Sequence, residues 1–149
     1  MSAIKTAITD AVKQAMRAGD KPRVSALRMV TAAIKQQEVD SRAELSDAEV
    51  LQVLSKMVKQ RREALEQYEQ AGRDDLAAKE RSELEIIAEF LPQPLSDAEL
   101  DGMVDAAIAE TGASDVRSMG QVMGVLKPRV QGRADMGAVS ARVKARLSG

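Results

Sequence analysis

The chain has 149 residues, 44% of them hydrophobic and 30% charged, with a formal net charge of −1, a globular composition sized for one domain or two small ones. It holds no cysteine, no histidine and no tryptophan, and only Tyr68 and Phe90 are aromatic. Thiol nucleophiles, disulfides, Cys/His zinc sites and Ser-His-Asp relays are excluded from this chain alone, and a core limited to Leu, Ile, Val, Met and Ala favours helices over strands.

In chain order, Ile4, Ile8, Ala11, Val12, Ala15 and Met16 fall on one helical face, and Gly19 supplies a C-cap. Asp20 caps the second helix, with Pro22 in its first turn, where a missing N–H does no harm. Val24, Leu27, Val30 and Ile34 form its apolar stripe. Ser46-Asp47-Ala48-Glu49 is a capping box. It opens the longest helix, which runs to Gly72 with Val50, Leu51, Leu54, Met57, Val58, Leu65 and Tyr68 facing inward. Asp74 starts a fourth helix through Leu76, Ala77, Leu84, Ile87 and Leu91, stopped by Pro92.

Pro92-Gln93-Pro94 is the clearest boundary, because two prolines in three residues bias the chain towards an extended linker. A second box, Ser96 to Glu99, opens a fifth helix using Leu100, Met103, Val104, Ala107 and Ile108 and ending at Gly112. Ser114 is expected to cap a sixth helix with Val116, Met119, Met123 and Leu126, and Asp135 a seventh with Met136, Val139, Val143 and Leu147. The expected fold is all-α: an N-terminal four-helix domain over 1–92, then a small three-helix domain over 96–149. No apolar stretch approaches the roughly 18 residues needed to span a bilayer, and Met1-Ser2-Ala3-Ile4-Lys5 does not open a signal peptide. The expectation is a cytoplasmic protein without a membrane segment.

Charge is distributed unevenly. Residues 1–40 carry net +3 and residues 41–95 net −4, whereas 96–115 hold six acids and no base and 116–149 carry net +6. Three basic groupings follow. Lys127, Arg129 and Arg133 surround a glycine-centred corner at Gly132, followed by Arg142, Lys144 and Arg146 on the last helix. Such a corner presents backbone N–H groups and cations to an anion, or its cations are a solvated face that complements a helix C-terminus. Lys21, Arg23 and Arg28 lie near the start of the second helix, where Lys21 and Arg23 oppose its dipole. Lys56, Lys59, Arg61 and Arg62, interleaved with Glu63 and Glu66, read as a mixed solvated surface with pairs such as Arg62 with Glu66. Gly120 and Gly124, one turn apart, cost helix stability and are read with Gly132 as close-packing glycines. No phosphate-binding or nucleophile-elbow motif is present, and no acidic cluster stands out from a helix surface. No catalytic residue, metal site or cofactor is assigned.

Several stretches together resemble the GatB/YqeY family: Asp20 to Met29, Lys59 to Glu63, Tyr68 to Ala77, Phe90 to Leu95, and Met119 to Asp135. The last is similar to the tail of the B subunit of the tRNA-dependent amidotransferase. The resemblance implies an all-helical fold and a non-catalytic, tRNA-associated binding module. Lys127, Arg129, Arg133, Arg142 and Arg146 would hold tRNA through phosphates and shape, since the C-terminal segment has no aromatic residue for base stacking. A partner amidotransferase or aminoacyl-tRNA synthetase is implied as well. The alternatives are a component of a glutamine-dependent carbon–nitrogen ligase system, or a protein-interaction adaptor using the acidic helix at 96–110.

Overall fold

A computed structural model describes residues 2–148. Seven α-helices account for most of the chain, and no strand occurs among the described residues, so the fold is all-α. The chain divides into two compact units, residues 1–92 and 93–149.

The first unit contains α1 (Ala3–Ala18), α2 (Lys21–Ser41), α3 (Asp47–Gln70) and α4 (Asp74–Ala88). Gly19 ends α1 at φ 71°, a left-handed conformation that turns the chain directly into α2. Asp20 accepts the Arg23 amide, and Pro22 sits in the first turn. Ala11 and Ala15 of α1 and Ala26 of α2 are buried together with Leu27 and Ile86, so small side chains take up part of the space that aromatics fill in other cores. A second cluster joins Ile8, Val30, Ile34, Leu45, Val50, Leu54, Met57 and Ile87. Arg42, at φ 55°, turns the chain out of α2. Glu38 secures the segment that follows by accepting from Leu45 N at 2.9 Å and from Lys5 Nζ at 2.6 Å. The Ser46–Glu49 capping box forms in full. Asp47 then ties α3 to the start of α1, accepting from the Ser2 hydroxyl and from Ile4 N.

The second unit contains α5 (Asp97–Thr111), a 3-10 turn (Val116–Ser118), α6 (Met119–Val130) and α7 (Met136–Ser148). Leu100, Val104, Ala107, Val122, Leu126, Val130, Val139 and Val143 form its core. The expected Ser114 cap is corrected: Asp115 caps the 3-10 turn by accepting from Arg117 N, and Val116 is exposed rather than part of a stripe. Pro128 lies inside the last turn of α6, and the helix stops two residues later. Asp135 caps α7 through Ala138 N at 3.1 Å.

Each unit has its own buried cluster, and residues 92–96 between them are not helical. Limited proteolysis is expected to cut first near Gln93 and to release a folded fragment spanning 1–92. First cleavage within 46–91 would show that the units do not behave as separate domains.

Candidate functional site

The C-terminal cations do not stand free. Arg142 on α7 spans two carboxylates of α5, with Nη1 2.8 Å from Asp101 and Nη2 2.9 Å from Asp97. Arg146, one turn on, lies 3.7 Å from Asp101 and 3.5 Å from Asp105. Arg129 donates to Glu110 at 3.0 Å. Arg133 donates to the Gln93 carbonyl at 3.1 Å and stands 4.0 Å from Glu99. Asp97, Asp101 and Asp105 repeat every four residues on α5, so they present one row to the row on α7. Of the five cations expected to contact RNA, Lys127 alone makes no ion pair among the described residues.

The corner itself is also occupied. Gln131 N bonds the Lys127 carbonyl, and the amides of Arg133 and Ala134 both bond the Val130 carbonyl. Gly132, at φ 76°, makes the turn that allows this. The N–H groups of Gln131, Arg133 and Ala134 are therefore spent on the chain's own carbonyls. Gly120 and Gly124 need a different account from close packing, because a Cβ at either position would meet nothing within 4 Å. Gly124 stands four residues before Pro128, where the ring crowds the helix carbonyl and a residue without a Cβ can tilt it away. Nothing in the structure explains Gly120.

In the first unit, Arg61 departs from its expected place on a solvated face. It is buried, and its Nε donates to Glu83 at 3.1 Å. Its Nη2 reaches the Met29 sulfur of α2 at 3.6 Å. Nearby Glu80 has one buried carboxylate oxygen without a protein partner. Burial, followed by the charge of Glu83, pushes the Glu80 carboxyl up from its ordinary pKa, while Arg61 and Lys79 pull it down. The Arg62–Glu66 pair does not form among the described residues.

Between the end of α1 and the start of α2 lies an open groove of about 690 Å³. Met16, Val24 and Met29 give it an apolar lining, and Lys21 and Arg28 give it charge. Met16 and Met29 are 53% and 44% exposed, large values for apolar side chains that share one depression. Arg23, the third cation of that grouping, points elsewhere and holds Glu89 at the end of α4 with two hydrogen bonds of 2.6 and 3.0 Å. Lys21 and Arg28 have no carboxylate partner among the described residues, and no carboxylate lines the groove. The sequence carried a signal for this site in Lys21, which opposes the α2 dipole in the helix's first turn.

A family model described as Yqey-like protein matches residues 5–147. The chain belongs to that family. Among the relatives it matches are three fungal proteins, each called "Altered inheritance of mitochondria protein 41, mitochondrial". The one from Pyrenophora tritici-repentis is 27% identical over 136 residues, covering 89% of this chain and 75% of its own. That from Eremothecium gossypii is 37% identical over 119 residues, 73% of this chain and 65% of its own. That from Saccharomyces cerevisiae strain YJM789 is 31% identical over 120 residues, 76% of this chain and 64% of its own. The chain thus spans a little under two thirds of two of these relatives.

These findings correct three expectations. The relatives' name refers to mitochondria and not to tRNA or amidation. Together with the pairing of the tail cations, this overturns the tRNA-binding, amidotransferase-like module and its carbon–nitrogen ligase alternative. The adaptor reading fails on the acidic helix, whose Asp97, Asp101 and Asp105 pair with Arg142 and Arg146, Glu99 with Arg133 and Glu110 with Arg129. The mitochondrial name also overturns the expectation of a cytoplasmic protein.

Two outcomes test this geometry. The hydrogen bond from Arg142, followed by its charge and that of Arg146, holds the Asp101 carboxyl below its ordinary pKa. A carboxyl depressed on folding contributes stability above its unfolded pKa, and that contribution is lost as pH falls through the folded value. A side-chain NMR titration should find Asp101 below the usual carboxylate range, and Arg142→Gln should raise it; an unchanged titration would show that the row is not formed. For the buried pair, Glu83→Leu alone leaves Arg61 uncompensated and should cost about 3–5 kcal/mol. Combining it with Arg61→Met should recover most of that loss in urea unfolding.

Proposed function

We propose that this protein is a docking protein whose first unit seats an acidic amphipathic helix from a partner protein in the α1–α2 groove. The observation that carries this reading is the exposed Met16–Met29 lining beside two unpaired cations, Lys21 and Arg28, with no carboxylate in the groove. Methionine suits such a surface because its unbranched, polarisable side chain adapts to irregular partners. An open apolar depression between two helices accepts the apolar stripe of a third. The cations at its edge select acidic residues flanking that stripe, and the N-terminus of α2 adds to the positive field. A flat membrane surface would bridge a concave groove rather than fill it.

The partner is sought first in a mitochondrial setting, the one that the fungal relatives' name states of them. The finer likeness to the amidotransferase B-subunit tail is proposed as a kinship of helical fold for residues 119–135, without its tRNA role.

The test uses a designed fluorescent helix with leucine along one face and glutamate on the flanks. It should bind the full chain, and a lysine-flanked version should bind at least tenfold more weakly, a difference of about 1.4 kcal/mol. Lys21→Glu with Arg28→Glu should reverse that preference, and Met16→Asp should abolish binding with helicity unchanged. Equal binding of both peptides, or binding untouched by these substitutions, would overturn the reading. So would tight binding to phosphatidylglycerol vesicles with none to the peptide, which would make the groove a lipid contact.

A further inference from the structure

We propose that Met16 and Met29 form a paired oxidation site at which hydrogen peroxide converts both thioethers to sulfoxides and empties the groove. The emptying rests on the docking reading above, whereas the oxidation itself does not. Of the methionines among the described residues, these two are exposed. Met57 is buried in the first unit's core, and Met103, Met119, Met123 and Met136 are half-buried against the core of the second.

Exposure is one observation, and the guanidinium groups are a second. The Met16 sulfur has Arg28 Nη2 at 3.7 Å, and the Met29 sulfur has Arg61 Nη2 at 3.6 Å. Each thioether therefore has a cationic N–H donor beside it, one from its neighbour on α2 and one from α3. A thioether is a weak acceptor and uses little of what such a donor offers.

The reaction balances with peroxide alone. A sulfur lone pair attacks one peroxide oxygen, and the O–O bond breaks. The second oxygen takes the proton of the transferred one and leaves as water. Sulfur loses two electrons and the peroxide gains them. A guanidinium N–H beside the sulfur stabilises the negative charge that develops on the departing oxygen. Afterwards it bonds the sulfoxide oxygen, a far stronger acceptor than the thioether it replaces. The product is polar and chiral where the lining was apolar. Arg28, now held by the sulfoxide, is no longer free for a partner's carboxylate. Sulfoxides are returned to thioethers by methionine sulfoxide reductases, so the change is reversible.

The experiment exposes the full chain to limiting hydrogen peroxide, quenches it with free methionine, and follows each methionine by peptide mass spectrometry. Met16 and Met29 should oxidise about tenfold or more faster than Met57 and the methionines of the second unit. Arg28→Ala separates assistance from exposure. Removing the side chain uncovers Met16, so exposure alone would raise its rate, whereas loss of the donor should lower it relative to Met29 in the same molecule. Oxidised protein should lose the glutamate-flanked peptide and regain it after reductase treatment. In a Met16→Leu, Met29→Leu variant, peroxide should leave unchanged whatever peptide affinity the untreated variant has. Uniform oxidation of all the methionines, or a faster Met16 in Arg28→Ala, would overturn the site. If the untreated protein never binds the peptide, the docking reading and the emptying fall together, and the oxidation map still decides the site.

Discussion

The first unit is organised around one buried ion pair. Arg61 of α3 and Glu83 of α4 meet where the stripes of both helices would otherwise be apolar, and the far side of the guanidinium reaches Met29 of α2. Three helices are thereby referred to a single planar group. Burying two charges is costly unless their hydrogen bonds are well made, and such pairs fix geometry more reliably than they add stability. Glu80, one turn before Glu83, shows the cost of that arrangement in a carboxylate oxygen left unpartnered in the same interior. The α1–α2 groove depends on this geometry, because Met29 is at once a wall of the groove and a neighbour of the buried pair.

The second unit solves a different problem with the same residue types. Its helices are short, and its buried core is built from Leu, Val and Ala, with Met and Ile108 packed at its margin. Opposite charges are segregated in sequence, six acids and no base over 96–115 and net +6 over 116–149, and folding brings them together. Half-exposed pairs of this kind contribute little each to stability. Their effect is to set the register of α7 against α5, since a one-turn slip would leave Asp97 or Arg146 without its partner. A region that looks strongly charged along the sequence becomes nearly neutral in space.

That contrast shows what was legible in the residues and what was not. Capping chemistry is local, so Ser46–Glu49, Ser96–Glu99, Gly19, Gly112 and Asp135 could be read directly, and the helices they bound appear where expected. The later start of the sixth helix is also local in origin: Asp115, not Ser114, makes the cap and it opens a 3-10 turn, so the α-helix begins only at Met119. Pairings between distant residues were harder. Asp97, Asp101 and Asp105 share the four-residue spacing of Arg142 and Arg146, yet nothing local says that one row meets the other. Arg61 sits at a stripe position after Leu54 and Met57, and Glu83 stands three and four residues before the stripe positions Ile86 and Ile87. Charge argued for solvent at both positions, while periodicity pointed inward. The groove left a fainter trace, in Lys21 placed against the α2 dipole, and its apolar part was hidden because Met16 reads as core.

The aromatic poverty of the chain has a further consequence, for how its folding can be watched. Tyr68, half-buried on α3, and Phe90, packed against both clusters of the first unit, are the whole complement of ring chromophores. Near-ultraviolet absorption and intrinsic emission therefore report on residues 1–92 and are blind to the rest, while peptide-bond dichroism sees all seven helices. Comparing the two signals as denaturant rises measures cooperativity between the halves directly. Coincident curves mean one melting body; a gap between them times the second unit against the first, with no label attached to either.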